Sequence, residues 1–236
     1  MQKVMGYMRR AILDYNMIED GDRIAVGVSG GKDSMVLLAG LAGLRRFLGR
    51  DFSLVAITLE MGFPTGTMDF SPITEYCKEL GIEHVVRQTR IGEIVFDERK
   101  EKSPCSLCAK MRRGILHEET KNNNCNKLAM GHHMDDAVET FLMNLSVEAR
   151  IACFQPVSYL SIRDITMIRP MIYMPEKEAV RVASQGAFPV VKTKCPIDGT
   201  TKRQDMKDFI KEREALEPGF KKRIFHAMKT AHISDW

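Results

Sequence analysis

A doubly wound parallel α/β sheet is the fold class that this sequence predicts, on three observations. Short β-branched runs alternate with helical patterns along most of the chain, as in βαβ units whose helices cover both faces of a parallel sheet. The runs themselves, RIAVGV and FSLVAITL among them, read as buried strands. Two conspicuous motifs fall directly after strands, at the carboxyl edge where ligands of such sheets gather.

The elements follow in order. Val4, Met8, Ala11, Tyr15 and Ile18 recur at helical spacing, so an amphipathic helix opens the chain over residues 1–20. Arg23–Val28 predicts the first strand, and Ser34–Leu48, rich in Met, Val, Leu and Phe, a helix buried on most of its surface. Phe52–Leu59 is a second strand, Ile73–Leu80 a helix stopped by Gly81, and Ile82–Arg87 a third strand. Lys110–Glu119 reads as helix, Lys127–Met130 as a short strand, Asp136–Leu145 as helix and Thr166–Ile172 as strand. Glu176–Gln185 is helical, with Gly186 placed as a C-cap. Residues 21–200 thus form the α/β domain, and 201–236 a basic helical tail.

Composition narrows the class of function. The 236 residues are 44% hydrophobic, enough to build a core. No stretch reaches the roughly 18–20 apolar residues needed to cross a bilayer, and the start MQKVMGYMRR lacks the apolar segment of an export signal. A cytoplasmic protein with no membrane partner is expected. Net charge is only +4, but it is unevenly placed. Lys202 to Trp236 carries nine Lys/Arg against six Asp/Glu and includes Lys221-Lys222-Arg223, while Lys110, Arg112 and Arg113 form a second group. Such patches suit a polyanion, although a solvated helix face is the commoner role of any one of them.

Between the first strand and its helix lies Ser29-Gly30-Gly31-Lys32-Asp33-Ser34. The glycines let the backbone turn tightly and bring amides toward an anion. The helix start adds its positive end, and Lys32 a point charge. A Walker A loop would need glycine where Val26 stands, so this is a different phosphate loop. Its alternative reading is a glycine turn without a ligand. A second motif, Gly131-His132-His133-Met134-Asp135-Asp136, follows the fourth strand, and Asp136 with Glu139 there also has the form of a capping box.

Of six cysteines, Cys105 and Cys108 alone form a motif by spacing, two thiolates on one tight turn as in zinc and iron–sulfur sites. Cys77 and Cys153 lie in apolar surroundings and read as packing residues. A disulfide framework is a poor reading in a reducing compartment.

The Ser-Gly-Gly-Lys-Asp-Ser loop resembles the PP-loop of the ATP pyrophosphatase family, whose members cleave ATP between the α- and β-phosphates. Cys105-Ser106-Leu107-Cys108 leading into Arg112-Arg113-Gly114-Ile115-Leu116 closely resembles the tRNA 2-thiocytidine synthetases within that family. So do Ile168-Arg169-Pro170-Met171-Ile172-Tyr173, Glu176-Lys177 and Phe188-Pro189, in matching order over roughly residues 20 to 200. The resemblance implies ATP and Mg2+ at Ser29, Gly30, Gly31, Lys32, Asp33, Ser34, Thr58, Gly131, His132 and Asp135. It implies chemistry at Lys32, Asp136 and Arg112, and a 4Fe–4S cluster on Cys105, Cys108 and Cys195. Three thiolates leave one iron open, where the relatives are thought to bind the sulfur that they transfer. The implied partners are tRNA and a sulfur donor, a cysteine desulfurase or sulfide, and a homodimer is compatible with the pattern. Asp198 stands where some relatives carry a further cysteine, and Arg112 where the related 2-thiouridine synthetases tend to carry lysine. Since arginine is no base near neutral pH, Arg112 is expected to orient or stabilise charge. Spacing alone leaves open a zinc site completed by Cys125 or His117. The rival activities are a ligase with a nitrogen nucleophile, a desulfidase of thiolated bases, and an iron or redox sensor without turnover.

Overall fold

The computed structural model describes residues 1–100, 104–186, 188–197 and 202–236. The junction expected at residues 200 and 201, and Asp198, lie outside these described residues.

Among the described residues the strands form one six-stranded sheet in the order β3-β2-β1-β4-β6-β5. They are β1 (Asp22–Gly27), β2 (Phe52–Glu60), β3 (Glu83–Gln88), β4 (Lys127–Ala129), β5 (Val157–Leu160) and β6 (Ile165–Ile168). Every neighbouring pair is parallel except β5–β6. The chain builds outward from β1 through β2 to β3, then returns to lay β4 on the other side of β1, with Ile24 opposite Lys127 and Val26 opposite Ala129. Strand order therefore reverses between β1 and β4, which opens a crevice at their carboxyl ends.

Helix α1 (Gln2–Asp14) buries Val4, Met8, Ala11 and Ile12. Helix α2 (Lys32–Leu44) leaves β1 and is buried along most of its length, so it needs no polar stripe. Then come α3 (Ser71–Glu79), the single turn α4 (Ile91–Glu93) running into a π-helical turn over Ile94–Glu98, and α5 (Pro104–Asn122). They are followed by α6 (Met134–Ser146), α7 (Glu176–Ser184), α8 (Lys202–Leu216) and α9 (Phe220–Thr230). One core runs through the molecule: Met8 of α1, Leu37 of α2 and Ile24 of β1 share it with Ile210 of α8, Phe225 of α9 and Trp236. The opening helix and the tail are thus packed into the α/β core as parts of it.

Several expectations need correction. The cysteine pair does not sit on an isolated turn: α5 begins at Pro104, a residue whose fixed φ suits the first helical turn, and takes in Cys105 and Cys108. The helix expected to reach Leu48 ends at Leu44. The strand expected over Thr166–Ile172 stops at Ile168, and β5, an antiparallel edge strand, was not expected at all. The capping box of α6 joins His133 to Asp136 rather than Asp136 to Glu139.

Candidate active site

The loop Ser29–Ser34 closes on itself before α2 begins. The Ser29 amide donates to Ser34 Oγ at 3.1 Å, the Gly31 amide to Ser29 Oγ at 3.3 Å, and the Ser34 hydroxyl to Gly31 O at 2.9 Å. Gly30 has φ +84°, and a methyl on it would lie 3.1 Å from Val191 Cβ, so a side chain here would be both strained and crowded. Val191 is anchored here because its amide donates to Gly30 O at 2.9 Å. This ties the segment before Cys195 to the loop.

Lys32 leaves the loop and donates to Asp33 at 2.9 Å and to Glu176 Oε1 at 2.8 Å. Burial works against its charge, but the Glu176 hydrogen bond and the Asp33 charge win, and its pKa lies above that of an ordinary lysine. Glu176 is the first residue of α7. Burial again opposes ionisation, yet Lys32 and Lys207 hold the Glu176 carboxyl below its usual range.

The second motif faces this loop across the switch point. A Cβ on Gly131 would lie 3.3 Å from the Asp33 backbone, so the motif and the loop touch. His133 Nδ1 accepts from the Asp136 amide at 3.3 Å, and the Asp136 carboxylate accepts from the His133 amide at 2.9 Å. An accepting Nδ1 places the neutral ring's proton on Nε2, 3.9 Å from Asp33 Oδ1. Asp33, His133 and Glu176 are, among the described residues, the His, Cys, Asp or Glu group whose ligand atoms all lie within 4.8 Å of one another. Its two carboxylates suit Mg2+, which takes one or two carboxylates alongside substrate phosphates; the imidazole does not. His132 stacks on Phe154, with ring centroids 5.0 Å apart, and its Nδ1 is buried without a hydrogen-bond partner. Burial, with Arg169 nearby, pushes its pKa down to about 4, so this imidazole is neutral at physiological pH.

The tail, expected to lend a basic surface beside the pocket, reaches into the same place, and there its cations meet carboxylates. Asp135 caps α7 by accepting from the Glu176 amide at 2.7 Å, and its other oxygen takes Lys221 of α9 at 2.5 Å. Asp136 takes Arg203 of α8 at 3.2 Å. Buried Glu139, pushed up to about 7 by burial despite Lys207 and Arg203, lies 3.6 Å from Arg203 and 3.8 Å from Lys207. Of the basic run 221–223, Lys221 is thus spent on Asp135, and Arg223 pairs with Glu217 at 3.0 Å. By contrast, Lys110, Arg112 and Arg113 are exposed and make no ion pair among the described residues.

Thr58, expected to contact the nucleotide, stands behind the loop. It is fully buried, donates to Val28 O at 2.8 Å and meets His84 Nε2 at 2.9 Å. It steadies the end of β1 instead of lining the crevice.

Cys108 and Cys195 pack against one apolar shelf made by Met61, Phe63, Ile91 and Val95. The shelf forms because Gly62 and Gly92 let the segments that follow β2 and β3 approach closely: the Gly92 amide donates to Met61 O at 2.7 Å, and a Cβ on Gly92 would lie 2.6 Å from Gly62 O. Burial raises the Cys108 pKa and Arg112 opposes that rise, while Cys195 and Cys105 are both near enough to act on it. Cys108 and Cys195 therefore share a shelf past the carboxyl ends of β2 and β3, with Cys105 one helical turn before Cys108. They fall outside the tight group described above. The three sulfurs do not all lie within 4.8 Å of one another, whereas a single zinc with about 2.3 Å Zn–S bonds would set them roughly 3.8 Å apart; a cubane, with one iron per thiolate, accepts wider spacing. The supposed fourth zinc ligands are badly placed. Cys125 is buried just before β4, beyond the far end of α5, whose 19 residues span about 28 Å. His117 is buried three helical turns from Cys105, with Nε2 unpartnered.

Comparison with known proteins shows the family and the fold. A PP-loop domain family matches residues 7–208. Proteins of Geobacter metallireducens and Geobacter sulfurreducens, each a tRNA-cytidine(32) 2-sulfurtransferase, are 39% identical over 230 residues, covering 96% of this chain and 89% of theirs. The fold matches that of the U34-tRNA thiolase of Methanococcus maripaludis, solved with its 4Fe–4S cluster, at a TM-score of 0.78 and 24% identity over 98% of this chain and 78% of that one.

Proposed function

The chain belongs to the PP-loop domain family and, within it, to the tRNA-cytidine(32) 2-sulfurtransferases, and from that membership we infer that it uses ATP to put sulfur into a cytidine of tRNA. The observation that carries the reading is the gathering of three parts along one edge of the sheet: the loop Ser29–Ser34 after β1, the Asp135-Asp136 motif after β4, and thiols on a shelf past the carboxyl ends of β2 and β3. An enzyme that only adenylated its substrate would need no thiols there.

The C2 oxygen of cytosine is a poor leaving group. Its attack on the α-phosphorus of ATP forms the O–P bond and breaks the bond to the β-phosphate, so that pyrophosphate departs. Lys32, the amides at the start of α2, and Mg2+ on the Asp33 side would offset the charge that builds on pyrophosphate. Sulfur at the sulfide level then forms the C–S bond as the C–O bond to AMP breaks. ATP, tRNA and sulfide thus give thiolated tRNA, AMP and pyrophosphate. A 4Fe–4S cluster on Cys105, Cys108 and Cys195 would supply the sulfur-binding metal. Arg112, exposed beside Cys108, is suited to steadying negative charge on the activated base, and Asp136 to moving a proton once Arg203 lets go of it. Cytidine in a single-stranded loop leaves its stack at little cost. The RNA-facing surface in this reading is the unpaired group Lys110, Arg112 and Arg113. A donor of sulfide, by a desulfurase or free, and a place in the cytoplasm complete it.

Anaerobic purification tests the metal. Cys105→Ala, Cys108→Ala and Cys195→Ala should each abolish visible iron–sulfur absorption, and Cys77→Ala and Cys125→Ala should retain it; a full spectrum in Cys195→Ala would remove the three-thiol site. Nucleoside mass spectrometry of tRNA from a deletion strain reads the product, where loss of 2-thiocytidine is expected. Release of ADP in place of AMP would overturn the PP-loop chemistry.

A further inference from the structure

One carboxylate oxygen in the crevice serves two ammonium groups. Glu176 Oε1 accepts Lys32 at 2.8 Å and has Lys207 of α8 at 3.7 Å. Lys32 belongs to the phosphate loop, but Lys207 comes from the tail, more than a hundred residues later. Its other neighbour is Glu139 Oε1 at 3.8 Å. Both separations exceed hydrogen-bond length, so Lys207 is held by charge alone, with its three N–H donors uncommitted.

Lys207 lines a cavity of about 530 Å³ between α6, the start of α7 and the two tail helices, where Lys211 and Lys221 stand with the carboxylates of Asp135, Glu139, Glu176, Asp208 and Glu214. Glu139 Oε2 is buried there without a hydrogen-bond partner. A pyrophosphate leaving group spreads its charge over two phosphoryl groups, and one lysine with one helix end neutralises only part of it.

We propose that Lys207 is a second pyrophosphate-binding residue, supplied to the nucleotide site by the tail and kept aimed at the same point as Lys32 by Glu176. The tail is then part of the ATP machinery. The proposal rests on reading Ser29–Ser34 as a pyrophosphate loop. It adds a ligand that motif inspection does not reveal.

Titration calorimetry with inorganic pyrophosphate and, separately, with AMP tests it on the wild type, Lys207→Ala, Lys207→Arg and Lys211→Ala. Lys211 lines the same cavity one turn along α8 and serves as the control. A lost charge-assisted contact predicts pyrophosphate affinity lower by about 10- to 100-fold in Lys207→Ala. AMP affinity, tRNA affinity and the salt slope should be unchanged, arginine should recover most of the loss, and Lys211→Ala should match the wild type. Wild-type pyrophosphate affinity in Lys207→Ala would overturn the proposal. So would equal losses for pyrophosphate and AMP, which mark a structural role, or a flattened salt slope for tRNA, which marks an RNA contact. No pyrophosphate binding by the wild type would instead sink the loop assignment beneath it.

Discussion

Glu139 shows how a single residue can couple the tail to pH. Burial raises its pKa from 4.5 to about 7, against Arg203 and Lys207 on α8 and in company with Asp136 and Glu176. A raised folded-state pKa stabilises the native protein below the unfolded value, and that contribution is lost as pH rises through the folded one. Glu139→Gln removes the titration. Thermal unfolding should therefore find the variant close to wild type near about pH 5 and more stable than wild type near about pH 8; a constant difference across that range would assign the effect elsewhere. Residues differ sharply in how visible their roles are. Ser29–Ser34 is six consecutive residues whose side chains and backbone serve one loop, so spacing alone points to it. Lys207, Lys221 and Arg203 lie in a tail where a charge count registers only an excess of cations. Each finds its carboxylate through tertiary packing, which no local pattern encodes.

At the scale of elements, α6 depends on a cap that also belongs to the crevice. Asp136 accepts the His133 amide with one oxygen and Arg203 with the other. Asp136→Ala should cost about 1 kcal/mol through loss of the cap, read as a shift in urea unfolding. Asp136→Asn keeps an acceptor for the His133 amide and should hold stability, yet lose AMP formation. An active asparagine variant would reduce Asp136 to a cap. The β1–α2 unit was legible because an apolar run, a glycine turn and an apolar helix follow one another. The β5–β6 hairpin was not: its turn, Ser161-Ile162-Arg163-Asp164, has no glycine, and Asp164 takes φ +48° in its place. The start of α5 was also hidden, since Cys-x-x-Cys is shared by helical turns and loops.

For the molecule as a whole, the tail is fastened at Trp236. Trp236 is 5% exposed, donates its indole N–H to Phe154 O at 2.9 Å, and packs on Phe225 with ring centroids 5.3 Å apart. Phe154 in turn stacks on His132 of the second motif. Trp236→Ala should cost about 3 kcal/mol as a large-to-small change in a packed site. It should also open α8 and α9 to trypsin and weaken pyrophosphate binding through Lys207. A stable, protease-resistant variant would show that the helices dock without it.

The spread of the thiols along the chain sets a timetable for biosynthesis. Cys105 and Cys108 emerge from the ribosome about 90 residues ahead of Cys195, a delay of roughly 4–18 s at about 5–20 residues/s. Throughout that interval the nascent chain offers a two-thiol half-site. The shelf of Met61, Phe63, Ile91 and Val95 that gathers Cys108 with Cys195 is itself translated early, so the late cysteine arrives at a surface already able to receive it. If these three thiols hold the proposed cluster, its delivery waits for Cys195, and a cell short of iron would accumulate chains awaiting it.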